Sequence, residues 1–200
     1  ERAAIAPPTA TGQGEKRIAR DGTQTHIVFG TETFRYGDKR RLPLVLLSAI
    51  FGAGMSSRLF QRVREQLGLS YAVYAFHSFF QLTGMIGVYL GTQPGTAQQA
   101  ADVVREEMAA LSRDSLTPEE LATAKRQTRG QIVLALEGPL SRMYRIAGTA
   151  LYDEPYRTID TVLAEIEAIT PERVAEVAAQ IYAPERQLVV WLGPEGATEG

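Results

Sequence analysis

The chain contains no cysteine, one tryptophan and two histidines in 200 residues. Without cysteine it can build neither a disulfide nor a thiolate metal site from its own residues. His26 and His77 each fall within a strand pattern. Neither has a second histidine or a carboxylate at helical ligand spacing, so no zinc-binding helix motif is present. Charge of either sign is not in excess: 21 Lys and Arg against 23 Asp and Glu give a net charge of −2, which argues against a polyanion-binding surface. No apolar run has the length of a membrane span. The longest, Leu42 to Phe51, contains Pro43 and Ser48 and reads as a core helix. The opening segment ERAAIAPPTATGQGE has no signal-peptide architecture, and its Pro, Gly, Ala and Thr content reads as a linker over 1–14. The closing GPEGATEG reads as a disordered tail over 194–200. The chain is therefore expected to be a piece cut from a longer protein, or else a processed whole chain.

What remains is an ordinary globular composition, 44% hydrophobic and 22% charged. Lys16–Ala19 and Thr25–Phe34 read as strands around the turn signal Asp21-Gly22. Leu42, Val45, Leu46, Ala49 and Ile50 have helical spacing within Lys39–Phe51. After Gly52-Ala53-Gly54, Ser56 or Ser57 offers an N-cap to a helix striped by Leu59, Phe60, Val63 and Leu67. Gly68 suits the left-handed position after that helix, with Leu69 folding back on Val63. Tyr71–Phe80 and Met85–Gly91 read as an antiparallel pair. Thr96 and Gln99 suggest a capping box for a helix over Ala97–Leu111, and Thr117-Pro118-Glu119-Glu120 a second helix start. Gly138-Pro139 separates that helix from another over Leu140–Leu151. Further helical stripes follow from Ile159 and from Thr170-Pro171, before a final apolar strand, QLVVWL, expected to return to the earlier sheet. The whole reads as one α/β domain over 15–193.

Most candidate chemistry has a bland explanation. The Gly52–Ser57 turn lacks a P-loop lysine and follows a helix rather than a strand, so it reads as a helix connection. Ser56 and Ser57 have no base placed beside them, and Glu106-Glu107 and Glu119-Glu120 suit polar helix faces or caps. Arg40-Arg41 and Arg58, Arg62 and Arg64 are basic clusters without interleaved aromatics, giving little support to nucleic-acid binding. Arg64 and Tyr71 stand apart. They lie seven residues apart across a helix end and a strand start, which would deliver a cation and a phenol to one corner of the fold. The competing reading is equally physical: Arg64 complementing a helix dipole, Tyr71 half-buried as packing.

The stretch FGAGMSSRLFQRVREQLGLSYAVYA resembles the second half of the pitrilysin–insulinase metallopeptidases, those with an inverted zinc motif, and the processing-peptidase-like members above all. A glycine turn, Ser-Arg-Leu-Phe, a helix with Arg-Glu, then Gly-Leu and Tyr stand in order from Gly52 to Tyr71. The resemblance continues through TPEELATAKRQTRGQIVLALEGPLSRMYRIAG and AEIEAITPERVAEVAAQIY, covering about 15–193. It implies an α+β fold with a mixed, largely antiparallel sheet and helices mainly on one face. It also implies two halves closing around a peptide or unfolded polypeptide, with zinc bound by an N-terminal half that carries H-x-x-E-H. That motif is absent from these 200 residues. The chain alone is therefore expected to bind no catalytic metal and to hydrolyse nothing. Its partner half would lie in the same parent chain or on a separate subunit. By the same resemblance, Arg64 holds a substrate carbonyl and Tyr71 donates to the oxyanion. The alternatives are a non-catalytic substrate-binding or assembly subunit of the same fold, and an unrelated α/β binding domain. A soluble protein of the bacterial cytoplasm or periplasm is expected, and an isolated half could form a homodimer through its exposed apolar surface.

Overall fold

A computed structural model describes residues 13–113 and 116–194, together with Ala6 and Pro8. The expected linker and tail therefore lie almost wholly outside the described residues, and Gly14 already belongs to the first strand. Five strands form one sheet: β1 Gly14–Ala19, β2 Thr25–Thr33, β3 Ser70–Phe79, β4 Gly84–Thr92 and β5 Leu188–Gly193. Their order is β1-β5-β2-β4-β3. The pairings β5/β2, β2/β4 and β4/β3 are antiparallel and β1/β5 is parallel. The sheet is thus mixed and largely antiparallel.

β1 and β2 do not form the hairpin that Asp21-Gly22 suggests. β5 lies between them, pairing Trp191 with Arg17 on one side and Ile27 on the other. The cause is composition. GEKRIA is too polar for the middle of a sheet, whereas LVVWLG has an apolar face to bury. The loop from Arg20 to Gln24 spans the two strand spacings, about 9.6 Å, that β5 opens between β1 and β2.

The helices are α1 Arg41–Gly52, a π-helix Phe60–Gln66, α2 Ala97–Arg113, α3 Pro118–Ala135, α4 Pro139–Leu151, α5 Ile159–Glu167 and α6 Pro171–Ile181. The buried faces of α1, α2 and α6 join Ile27, Phe29, Ile86, Val88, Leu90 and Trp191 in one core on one side of the sheet. The other side carries His26, Tyr74 and Tyr89, with ring centroids 5.1 Å apart for the two tyrosines. Helix α1 passes so close to β3 that a Cβ on Gly52 would lie 2.2 Å from the Ala75 nitrogen.

Caps follow sequence in some places only. Thr117 and Glu120 form the expected capping box, with the Thr117 N–H donating to Glu120 Oε2 at 2.9 Å. Thr158 and Thr170 also cap their helices. Ser57 does not: its hydroxyl donates backwards to the Gly54 carbonyl at 2.7 Å. Thr96 sits inside a 3₁₀ turn and bonds the Thr92 hydroxyl at 2.9 Å, so the capping box expected with Gln99 gives way to a tie onto β4.

Candidate active-site corner

Arg64 lies on the last turn of the π-helix and Tyr71 on the first turn of chain into β3. Between them Gly68 takes φ +60°, a conformation that needs no Cβ. The Gly68 N–H donates to the Arg64 carbonyl at 3.2 Å, and the Leu69 N–H to the Val63 carbonyl at 2.9 Å. These paired bonds form a helix stop one residue wider than the usual one, which suits the wider π-helical turn. Val63 and Leu69 are both buried, so the stop is anchored in the core.

Tyr71 is a β-bulge. Ser70 pairs with Thr92 and Ala72 with Gly91, leaving Tyr71 without a partner on β4. A bulge re-aims the side chain it carries. Tyr71 is 78% exposed, and its hydroxyl makes no hydrogen bond among the described residues. The half-buried packing role is therefore not the one this tyrosine takes. β3 is also the last strand of the sheet, so its outer edge stands beside the tyrosine.

Two buried residues hold this corner and went unnoticed in the sequence. The Ser70 hydroxyl bridges the Gly91 carbonyl at 2.6 Å and the Ala72 carbonyl at 2.8 Å, clasping the bulge from both sides. The Thr92 hydroxyl donates to the Leu69 carbonyl. Nothing local distinguishes Ser70 from any strand serine. Its role depends on which residue of β4 faces it.

The basic cluster is divided by its neighbours. Arg58 is bound to Glu120, at 2.7 Å through Nε and 3.2 Å through its terminal nitrogen, fixing the π-helix to the start of α3. Arg58 is the first cause, after the opposing effect of burial, of a Glu120 carboxyl held below its ordinary range. Arg62 donates to Gln66 at 3.1 Å. Arg64 has only a loose contact with Glu65, 3.8 Å, and lies 4.8 Å from the Phe60 ring centroid. Of the three arginines it is the one without a side-chain hydrogen bond among the described residues. Nearby Glu107 on α2 is pushed above its ordinary range by burial, opposed by Arg58 and Arg62.

The two histidines lie on opposite faces of the sheet. His26 Nδ1 is 2.8 Å from the Tyr89 hydroxyl, and His77 Nδ1 is 3.0 Å from the Ser48 hydroxyl. No group of three or more His, Cys, Asp or Glu among the described residues could hold a metal. The described residues therefore do not fit a zinc ion. Burial lowers the pKa of His77 below 6.5. The unfolded chain protonates His77 first as pH falls, so this contribution is complete above pH 6.5 and declines below it. Urea midpoints should fall between pH 7.5 and 5, and His77→Gln should flatten that slope. An unchanged slope would mean that His77 is as easily protonated in the fold as outside it.

The family model described as the peptidase M16 inactive domain matches residues 2–128. A Bacillus subtilis protein named "uncharacterized zinc protease YmxG" is 35% identical over 177 residues, covering 88% of this chain and 43% of its own length. The Mycobacterium tuberculosis protein named "uncharacterized zinc protease Rv2782c" is 36% identical over 198 residues, covering 96% of this chain and 45% of its own. The chain thus spans less than half the length of these curated relatives. The crystal structure of a peptidase M16 inactive domain from Pseudomonas fluorescens superimposes with a TM-score of 0.90, at 22% identity, over 100% of this chain and 48% of that one. No helix among the described residues is long and apolar enough to cross a membrane. With the model spanning more than half its length, the chain belongs to the peptidase M16 family, as a domain of the type described as inactive.

Proposed function

We propose that this chain is the substrate-clamping C-terminal domain of a zinc metalloendopeptidase, completing an active site whose H-x-x-E-H half lies outside it. The observation that carries this reading is the corner itself. A tyrosine hydroxyl without a partner stands on a bulge, and a weakly engaged arginine stands on the helix that leads into it. Zinc would be held by the other half, since H-x-x-E-H is absent from these 200 residues. Arg64 would hold a backbone carbonyl of an extended peptide, and Tyr71 would donate its hydroxyl to the oxygen on which negative charge develops. The open edge of β3 supports an extended substrate, because an unpaired strand edge offers main-chain groups to a peptide added beside it.

Mixing tests this reading. Cleavage of a quenched fluorescent peptide library is measured for this chain, for the zinc-bearing half, and for the two together. Activity only in the mixture is expected. No activity in a mixture that demonstrably associates and holds zinc would instead assign the chain to a non-catalytic subunit of the same fold. In an active mixture Arg64→Ala should lower kcat/KM by about 10- to 100-fold, through both KM and kcat, because a charge-assisted hydrogen bond to substrate is lost. An Arg64→Ala enzyme with unchanged KM and kcat would remove Arg64 from the site.

A further inference from the structure

A second site lies at the opposite end of β3, about 25 Å along the strand from Tyr71. Helices α1, α3 and α4, the end of β3 and the segment from Glu154 to Val162 line an open cavity of about 460 Å³ there, within the range of small-molecule sites. Leu42, Val45, Phe79 and Ile132 supply apolar walls. Arg41 and Arg145 also line it, and neither makes an ion pair among the described residues. Arg41 lies 4.2 Å from the centroid of the Tyr36 ring, which holds the guanidinium in place without neutralising it. Arg145 donates only to the Arg157 carbonyl and lies 5.5 Å from the Tyr156 ring. The one carboxylate of the cavity wall, Glu154, is engaged by Arg35 at 3.4 Å.

Two further observations point to a ligand. The hydroxyl of Thr128, a cavity residue, is buried with no hydrogen-bond partner among the described residues, which costs about 1 to 3 kcal/mol if nothing satisfies it. Helix α4 is also inverted. Ser141, Arg145 and Thr149, at successive turns, line the cavity, while Leu140, Met143 and Tyr144 are exposed on its outside and no α4 residue is buried. A helix that only covered a core would turn its apolar side inward. This one adds polar groups to a wall whose apolar part is Leu42, Val45, Phe79 and Ile132 and which already carries Arg41, Gln131 and Glu154.

We infer that this cavity binds a small apolar carboxylate, its tail against Leu42, Val45 and Ile132 and its anionic head between Arg41 and Arg145. Planar guanidinium forks match a carboxylate, and pairing with one would neutralise charge that the fold leaves uncompensated. This site does not depend on the peptidase reading, since it uses neither Arg64 nor Tyr71.

The test is calorimetric titration of the 200-residue chain with octanoate, 1-octanol and octylammonium. Octanoate should bind at least about tenfold more tightly than octanol, and octylammonium should bind more weakly still. The Arg41→Gln/Arg145→Gln double variant should bring octanoate down to the affinity of octanol. Ser141→Trp should block the chamber without disturbing the core, since α4 buries nothing. Tyr144→Ser, on the outer side of α4, should leave octanoate binding unchanged. Equal affinity for octanoate and octanol in the unmodified chain would overturn the inference, as would absence of octanoate binding. Loss of binding in Tyr144→Ser alone would place the ligand on the outer face and overturn it too.

Discussion

Tyr71→Phe in the complete, zinc-loaded enzyme is expected to lower kcat by about 100-fold and leave KM nearly unchanged. The argument rests on what the hydroxyl is not doing. Tyr71 is 78% exposed and its oxygen has no partner among the described residues, so removing it breaks no internal hydrogen bond. The ring, its position on the bulge and the clasp of Ser70 on Gly91 and Ala72 all remain. Thermal unfolding of the variant should therefore match the parent. A donor that acts on a developing oxyanion matters more in the transition state than in the bound substrate, so the loss should appear in kcat. Tyr74→Phe supplies the comparison. That tyrosine follows on the same strand and packs 5.1 Å from Tyr89, and its substitution should leave turnover within about twofold. Steady-state cleavage of one fluorogenic peptide by the three proteins decides the matter. Equal kcat for Tyr71→Phe and the parent would end the oxyanion role. A rise in KM with kcat intact would reassign Tyr71 to substrate binding.

Sequence carried the corner a long way and then stopped at a physical limit. Gly68 could be read as a left-handed stop because few residues tolerate φ +60°, and Leu69 does close on Val63 through its backbone. The helix before it could be read from the Leu59 and Val63 stripe. That the last turns are π-helical could not, because seven residues are too few to separate two periods so similar. The bulge was equally hidden. Tyr71 alternates normally within its own strand pattern, and only the pairing of Ser70 with Thr92 and Ala72 with Gly91 exposes the extra residue. The sorting of Arg58, Arg62 and Arg64 likewise depended on Glu120, a residue far away in the chain that the fold brings to Arg58.

Helix α4 shows the same limit from another side. Gly138-Pro139 located its start, because Pro suits the first helical turn and cannot continue the helix before it. Its amphipathic pattern, with Leu140, Met143 and Tyr144 set against Ser141, Arg145 and Thr149, went unread in the sequence. What the pattern could not say is which side would face the body of the domain, because periodicity fixes a stripe and not its partner. The long-range pairing of β5 was only half legible: QLVVWL was expected to rejoin the sheet, but its place between β1 and β2 was masked by the strong local turn signal Asp21-Gly22. Loop chemistry argues from neighbours in sequence, and strand order is decided by where apolar area can be buried.

That placement has a measurable consequence at Trp191. The side chain is fully buried, opposite Ile27 on β2 and Arg17 on β1, with the Arg17 guanidinium 4.3 Å from its ring centroid. Trp191→Ala should cost about 3 to 5 kcal/mol, since it removes a large apolar side chain and leaves a cavity that three paired strands cannot collapse to fill. Domains of this kind are stable by only about 5 to 15 kcal/mol, so the variant should be close to the edge of folding. Trp191→Phe should cost much less. The indole Nε1 has no hydrogen-bond partner among the described residues, so replacing the ring by phenyl sacrifices volume and none of their hydrogen bonds. Because Trp191 is the only tryptophan, its fluorescence disappears in both variants, and urea unfolding has to be followed by far-ultraviolet circular dichroism. The expected midpoint for Trp191→Ala is about 2 M below the parent in urea, with an unchanged slope. A β1–β2 hairpin with β5 displaced from the middle would instead leave the tryptophan at the margin of the sheet. A cost below about 1 kcal/mol for Trp191→Ala would support that arrangement against the central β5 described here.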